Sequence, residues 1–182
     1  VNRLAGVVAA LHRAPAEIGI LWSMSSLIFD GGAPYAESAL RAFEGMSFSG
    51  QKVRFVSEAQ CVNGGLAGLR LLVLPQLPAI SDAAFAEIDR FIQDGGYVIR
   101  TGLSGPYDPR GLSRQDVISY TTRTYLIRGT DDAVGYLHAC ETAYADEALG
   151  QIPRSVNEFG YLLEGVKSRY VVHNGVEYLF LL

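Results

Sequence analysis

The chain has 182 residues, of which 49% are hydrophobic and 19% are charged, proportions that suit one globular domain with a small appendage. Its net charge of −4 offers no basic surface, so we expect neither nucleic acid nor an anionic membrane as a partner. No apolar run approaches the roughly 18 residues needed to cross a bilayer, and the N-terminus lacks a secretory signal pattern.

Cys61 and Cys140 lie far apart in the sequence and form neither a disulfide framework nor a metal-ligand pattern. Two reduced, partly buried thiols are the simplest interpretation, and they predict a reducing cytoplasm. A Walker loop, a GxGxxG turn and an HExxH helix are all missing from the sequence. We therefore expect no bound metal and no cofactor.

A short apolar helix over Leu4–Leu11 opens the chain without a capping residue at its start. We interpret residues 1–15 as a connector helix that follows another domain in a longer chain. Glu17–Trp22 then predicts a strand, and a serine-rich loop follows from Ser23 to Tyr35, broken by two glycines and a proline.

The next helix is predicted from Ala36 to about Met46, with Ala36, Ala39, Leu40 and Phe43 on its buried face. Lys52–Val56 alternates in polarity as a strand does. The segment after it, Ser57–Gly68, is interpreted as a connector with at most one helical turn.

A strand–helix–strand unit over Leu69–Gly102 is the strongest structural signal in the sequence. Leu69–Leu74 is a run of strand length that is apolar apart from Arg70, which is typical of a strand covered on both faces. Ser81 is placed to cap the following helix, which ends at a glycine pair before a second strand over Tyr97–Arg100. Such a unit predicts two parallel strands joined by a right-handed crossover.

Alternating strands and helices over the first hundred residues predict an α/β fold, a flavodoxin-like three-layer sandwich with a mostly parallel sheet. We expect the Glu17 strand beside the Leu69 strand. Ligands of such sheets bind beyond the carboxyl ends of the strands. Here that crevice would be lined by Trp22–Ser26, Pro75–Leu77 and Thr101–Ser104.

The pattern weakens after Gly102, and the sequence leaves open whether residues 104–160 complete the sheet or form a subdomain. The last unit, residues 161–182, is predicted to be a β-hairpin leading into a further domain, with the main domain spanning residues 16–160. The predicted elements here are a loop over 102–113, a strand over Thr124–Ile127, a helix over Asp131–Leu149, and hairpin strands Ser168–Val172 and Val176–Leu182 around Asn174-Gly175.

Trp22 and the serines after it could form an aromatic platform with hydroxyl groups, as sugar-binding sites often have. The alternative is that Trp22 packs in the core and the serines are solvated. The full set of predicted crevice or interface residues is Trp22, Ser23, Ser25, Ser26, Phe29, Gln76 and Ser104.

Candidate nucleophiles lack the context that catalysis needs. Gly102-Leu103-Ser104-Gly105 partly matches the G-x-S-x-G elbow, but Pro106 replaces the last glycine and the next residues do not continue a helix. His138 and Cys140 are two apart on a predicted helix and would point in different directions. Glu58 follows a strand without an evident partner. We therefore predict no catalytic residue in this chain.

Four phrases, taken together, resemble a known module: EIGILWSMSSLIF, ALRAFEGMSFSGQKVRFVSE, LRLLVLPQLPAISDAAFAEIDRFIQDGGYVIRTG and YVVHNGVEYLFLL. They are similar to the β-galactosidase trimerisation domain of family 42 glycoside hydrolases. The resemblance covers Glu17–Gly102 well and Ser104–Gly160 poorly. It implies a fold like that of class I glutamine amidotransferases, placed after a catalytic (β/α)8 barrel in the same chain.

The resemblance also implies that the catalytic carboxylates belong to the barrel and that this domain assembles subunits, with a loop that borders a neighbouring active site. It makes a homo-oligomer, such as a trimer, the expected assembly. The amidotransferase relatives carry a catalytic cysteine at a strand-to-helix elbow. Cys61 and Cys140 fall elsewhere, and Ser104 is the residue nearest to that position.

Three functional hypotheses therefore stand. The first is a non-catalytic assembly domain of a glycoside hydrolase. The second is a carbohydrate-binding domain that uses the crevice near Trp22. The third is a small amidotransferase-like hydrolase that uses Ser104 or a cysteine, which would need a histidine within about 3 Å of the nucleophile.

Overall fold

The computed structural model describes residues 4–102, 104–115, 118, 123–127, 132–146 and 148–182. Helices and strands alternate through most of this part of the chain. In order they are α1 (Ala5–Arg13), β1 (Ile18–Trp22), α2 (Met24–Phe29), α3 (Ala33–Ser47), β2 (Val53–Ser57), α4 (Glu58–Val62), β3 (Leu71–Leu74), β4 (Leu77–Ala79), α5 (Asp82–Gln93), β5 (Tyr97–Thr101), β6 (Ser104–Tyr107), β7 (Thr124–Ile127), α6 (Ala133–Ala145), β8 (Ser168–His173) and β9 (Val176–Leu181).

Five parallel strands form the central sheet, in the order β2-β1-β3-β5-β7. This is the predicted flavodoxin-like order, and β1 lies beside β3 as expected, with Ile18 opposite Leu71. The fifth strand, β7, pairs with β5, so part of the segment that the sequence left open completes the sheet.

Helices cover both faces of the sheet, which confirms the three-layer sandwich. α3 and α6 pack together on one face, and α4 and α5 pack together on the other. Because side chains alternate along a strand, neighbouring residues of β1 enter different cores. Ile20 lies in the core beneath α3 and α6, whereas Leu21 lies in the core beneath α4 and α5.

Gly45 is the point of close approach between α3 and α6. A Cβ atom at this position would lie 2.3 Å from the carbonyl oxygen of Ala133 and 2.8 Å from Cβ of Tyr136. The absence of a side chain therefore lets the two helices meet nearly backbone to backbone.

Three predictions about local structure are wrong. The expected loop over Ser23–Tyr35 contains α2, because Ser23 caps a helix and accepts a hydrogen bond from the Ser26 N–H. Pro34 lies in the first turn of α3, where its missing N–H costs nothing, so it starts a helix instead of breaking the chain. The expected loop after Gly102 contains β6, which pairs with the equally unpredicted β4.

The predicted face of α3 is also wrong in part. Ala39 is buried as predicted, but Leu40 and Phe43 are exposed, and Ala42 and Met46 are buried instead. Tyr35 adds a buried aromatic ring at the start of the helix.

The C-terminal hairpin is confirmed, with β8 and β9 antiparallel around Asn174 and Gly175. Both turn residues have positive φ, at 51° and 75°, which is the requirement of a type I′ turn. β8 packs against α1, where the imidazole of His173 lies over Gly6. Within the described residues, no helix has the length and apolar character that a membrane crossing requires.

Candidate functional site

The carboxyl edge of the sheet brings together three segments that are distant in sequence: the β1–α2 turn, the β2–α4 junction and the β4–α5 turn. The side chain of Glu58 joins all three. Its carboxylate accepts hydrogen bonds from the Ser23 hydroxyl (2.6 Å), the Ser25 hydroxyl and N–H (3.1 Å each) and the Ser81 N–H (2.8 Å).

These contacts hold Glu58 in its charged form. Burial by itself would raise the pKa of Glu58, but the hydrogen bonds from Ser23, Ser81 and Ser25 outweigh it, and the pKa lies below its usual value. A carboxylate that is ionised and bonded in this way is a poor general acid or base near neutral pH. Its geometry suits a fixed structural anchor.

The Ser23 and Ser26 side chains point into the protein and form hydrogen bonds there. Both residues are fully buried. The Ser26 hydroxyl donates to the carbonyl oxygen of Ala79 and accepts from its N–H at 3.1 Å. The sequence interpretation with Trp22 in the core expected these serines to be solvated, and that is wrong for Ser23 and Ser26. Ser25 is partly exposed.

The Tyr35 hydroxyl forms hydrogen bonds to the backbone at the end of β1 and the start of the β1–α2 turn. It accepts from the N–H of Ser23 at 2.7 Å and donates to the carbonyl oxygen of Leu21 at 2.6 Å. Burial raises the pKa of this phenol, so it stays neutral and works as a two-sided hydrogen-bonding group. The end of β1 is thus fixed by buried hydrogen bonds.

Trp22 is part of a partly exposed apolar surface at the β2 edge of the sheet. Its ring meets Phe55 edge to face, with centroids 5.8 Å apart, and Phe55 stacks on Phe43 at 5.5 Å. Phe43, Phe55 and Leu40 are 39%, 37% and 60% exposed. We call these four residues, Trp22, Leu40, Phe43 and Phe55, the aromatic edge surface.

Gln76 follows the central strand β3 in a strained conformation. Its φ of 28° is unusual for a residue other than glycine, and its side chain is exposed near Gly102. The Gln76 N–H donates to the Thr101 hydroxyl at 2.8 Å, and that hydroxyl lies 3.2 Å from the hydroxyl of Tyr136. The residue at this strained turn is an amide, which carries no nucleophile.

Phe29, the last residue of α2, stacks on Tyr107 of β6 with ring centroids 5.0 Å apart. The contact ties α2 to the small β4–β6 sheet. These elements lie at the carboxyl edge near β1, where the sequence predicted a crevice.

The candidate nucleophiles of the sequence are Ser104, Cys61 and Cys140. Ser104 begins β6, whose backbone pairs with β4, and no helix directly follows it; its side chain lies outside the described residues. Burial raises the pKa of Cys61 to about 11 and that of Cys140 to about 12, so both thiols are protonated near neutral pH. Among the described residues, no group of three or more His, Cys, Asp or Glu side chains is placed to hold a metal ion.

The role of Glu58 was not predicted from the sequence. One available signal was the spacing of Ser57 and Gln60, which form a capping box and show that a helix starts at Glu58. That start fixes the carboxylate at the sheet edge. Its serine partners are 23 to 35 residues away along the chain, and no local pattern points to them.

Comparison with solved structures identifies the fold. Over 95% of this chain, the structure is similar to the exo-carrageenase GH42 from Bacteroides ovatus, with 17% identity and a TM-score of 0.70. The chain has the fold of a domain of family 42 glycoside hydrolases. The β-galactosidases from Rahnella sp. R3 and Marinomonas ef1 are also similar, with TM-scores of 0.65 and 0.59, identities of 16% and 13%, and coverage of 93% and 85% of this chain.

The family 42 likeness predicted from the four sequence phrases is thus confirmed at the level of the fold. The chain spans only 23%, 36% and 31% of the length of these three structures. It therefore corresponds to a small part of each enzyme. No protein-family model and no curated protein matches the sequence.

Proposed function

We propose that this chain is a non-catalytic assembly domain of a larger, carbohydrate-active glycoside hydrolase. The observation that carries the proposal is the structural match, which covers nearly all of this chain and about a quarter to a third of each matched structure. An accessory domain of an enzyme would give this result, because the whole domain would match only a small part of the enzyme.

The chemistry at the carboxyl edge supports a non-catalytic role. Glu58, the carboxylate best placed there, is saturated by hydrogen bonds from Ser23, Ser25 and Ser81. Cys61 and Cys140 are protonated and buried. In our proposal the catalytic carboxylates belong to an upstream barrel in the same chain, and the edge near Phe29 borders the active site of a neighbouring subunit.

The aromatic edge surface is the contact that we assign to a second copy of this chain. It lies beside β2, the edge strand of the sheet. Edge strands are usually guarded by charged side chains. The single charged residue of β2, Arg54, instead donates to the carbonyl oxygen of Gly65, so its charge is turned toward the connector after α4. An apolar, weakly guarded edge suits contact between like subunits in a closed assembly such as a trimer.

Sedimentation velocity of the 182-residue chain over a range of concentrations tests the assembly role. We expect reversible self-association, weakened about tenfold or more when Phe43 and Phe55 are both replaced by serine. The matched control is Phe159→Ser, since Phe159 is 76% exposed and does not belong to the aromatic edge surface. A strict monomer at every concentration, or equal effects of both variants, would contradict the proposal.

The likeness to family 42 glycoside hydrolases also underlies our proposal for the domain boundaries. We propose residues 1–15 as the connector from the barrel, 16–160 as the amidotransferase-like domain, and 161–182 as the hairpin that leads into a further domain. The free thiols at Cys61 and Cys140 support a cytoplasmic location. Limited proteolysis of the native protein tests these boundaries, because cleavage should concentrate near residues 15 and 160.

A further inference from the structure

A cleft of about 560 Å³ lies between the C-terminal hairpin and the segment that leads into β2. Four consecutive residues of β8, Arg169–Val172, line it together with four consecutive residues at the start of β2, Gly50–Val53. Successive side chains of a strand point to opposite faces, so a cleft that touches four in a row borders the edge of β8 instead of one face. At about 3.3 Å per residue, the cleft follows this edge for roughly 13 Å.

The backbone of β8 presents unpaired groups along this edge. Lys167 and Leu182 exchange both of their backbone hydrogen bonds, at 3.0 and 2.8 Å. In an antiparallel pair, such bonded positions alternate with positions whose N–H and C=O groups point away from the partner strand. Tyr170 and Val172 are therefore positions whose backbone groups point away from β9. In the described chain β8 pairs with β9 alone, so these groups form a free strand edge along the cleft.

A free strand edge is a template for a further strand. When an extended peptide adds to such an edge, main-chain hydrogen bonds supply affinity, and pockets for alternate side chains supply specificity. The cleft has apolar lining for such side chains, from Leu11, Pro15, Val53 and Ile152. It narrows at Ser168, whose hydroxyl would lie 3.2 Å from a Cβ atom at Gly50. The added strand would therefore run from Tyr170 toward the turn of the hairpin.

Two cationic side chains line the cleft. The half-buried Arg169 guanidinium donates to the carbonyl oxygen of Ser168 at 3.1 Å, which places it at the outer edge of β8. The Lys52 ammonium donates to the carbonyl oxygens of His12 and Ala14, at 2.7 and 2.8 Å. Within the described residues, neither cation forms a salt bridge with a carboxylate.

Glu17 also lines the cleft, but its carboxylate is directed elsewhere. Its Oε2 atom is buried. A Cβ atom at Gly150 would lie 3.7 Å from this oxygen and 3.0 Å from Nη1 of Arg70, so the carboxylate lies beside the Arg70 guanidinium. The charge that remains along the cleft is positive, and an acidic side chain would complement it.

We propose that the outer edge of β8 binds an extended peptide with an acidic side chain as an added β-strand. Tyr170 and Val172 supply the main-chain hydrogen bonds, and Arg169 and Lys52 lie beside the acidic group. This interaction is independent of the assembly role, because it uses neither Phe43 nor Phe55.

Titration of the isotope-labelled chain with three acetylated and amidated hexapeptides, followed by NMR, tests this proposal. The peptides alternate valine with glutamate, threonine or lysine, so that they compare a negative, a neutral and a positive strand. We expect sub-millimolar binding of the glutamate peptide, with shifts and slowed solvent exchange at the N–H groups of Tyr170 and Val172, and with Trp22 unmoved. The threonine peptide should bind about tenfold more weakly, and the lysine peptide more weakly still.

Two proline variants separate strand addition from a change in the fold. Val172→Pro removes an outward N–H that β9 does not use, so it should abolish peptide binding while the hairpin stays paired. The matched control is Leu179→Pro. Leu179 lies opposite Tyr170, and its N–H points to the other edge of the hairpin, so this variant should still bind the peptide.

Arg169→Gln tests the charge, and it decides the question even if a proline variant fails to fold. It should weaken binding of the glutamate peptide about tenfold and leave binding of the threonine peptide unchanged. The control is Arg41→Gln, since Arg41 lies on the exposed surface of α3 and does not line the cleft.

Several outcomes would overturn the proposal. They are no shifts at Tyr170 or Val172 with any of the peptides, undiminished binding by Val172→Pro, equal losses in Val172→Pro and Leu179→Pro, and equal affinities for the three peptides. The same shifts with acetate alone would show simple anion binding, and would overturn it as well.

Discussion

The Ser23 hydroxyl donates to the Glu58 carboxylate at 2.6 Å, across 35 residues of sequence. This contact joins the end of β1 to the start of α4. With the bonds from Ser25 and Ser81, it makes one charged side chain the common anchor of three turns. The edge of the sheet where ligands of such folds usually bind is here held together internally.

Replacement of Glu58 by alanine should destabilise the fold measurably. The N–H groups of Ser25 and Ser81 and the Ser23 hydroxyl would lose their acceptor, which costs about 1–3 kcal/mol where water replaces it incompletely. Urea denaturation measures the change in the free energy of unfolding. The control is Glu37→Ala, whose exposed pair with Arg41 should contribute no more than about 0.5 kcal/mol. Equal losses in the two variants would show that Glu58 is not an anchor.

The stabilisation from Glu58 should depend on pH. Its folded-state pKa lies below the unfolded value of about 4.3, so this stability is complete above that pH and is lost as the pH falls through the folded pKa. Glu58→Gln lacks a titrating group at this position. We expect the difference in unfolding free energy between the unsubstituted chain and Glu58→Gln to shrink from about pH 5 to about pH 3. A difference that stays constant over this interval would contradict the assignment.

Gly45→Ala should destabilise the protein, although glycine-to-alanine changes inside helices normally stabilise by up to about 1 kcal/mol. The new methyl group would meet the Ala133 backbone at 2.3 Å and force α3 and α6 apart, a cost of about 1–3 kcal/mol. Thermal denaturation followed by circular dichroism measures the effect. Glu44→Ala, one residue earlier on the exposed face of α3, should change stability little. Stabilisation by Gly45→Ala would refute the close approach of the two helices.

The sequence predicted the elements whose signals are local. The strand predicted within Leu69–Leu74, the cap at Ser81 and the Asn174-Gly175 turn depend on signals within a few residues. The structure has a strand over Leu71–Leu74, and it has the cap and the turn as predicted. The helix α2 and the strands β4 and β6 were missed because they are short and depend on distant partners. β4 contains Pro78 and pairs only with β6 in the described chain, so no periodic pattern marks it.

The candidate site was predictable only in its location. Sheet order placed Trp22, Gln76 and Thr101 at one edge, as the structure does. The partners of Ser23 and the strain at Gln76 come from tertiary packing. Side-chain composition near a strand end cannot reveal whether a hydroxyl faces solvent or a buried carbonyl, and here Ser26 faces the carbonyl of Ala79.

The two thiols should react slowly in the folded protein, and this separates an assembly domain from a cysteine-dependent enzyme. With pKa values of about 11 and 12, Cys61 and Cys140 hold at most roughly one thiolate per thousand molecules at pH 8. Labelling with a chromogenic disulfide at that pH should therefore be slow in buffer and fast in urea, with Cys140 slower than Cys61 in the single variants Cys61→Ala and Cys140→Ala. Rapid labelling of the native chain at one cysteine would instead indicate an activated thiolate, and it would favour the amidotransferase-like hypothesis over a purely structural domain.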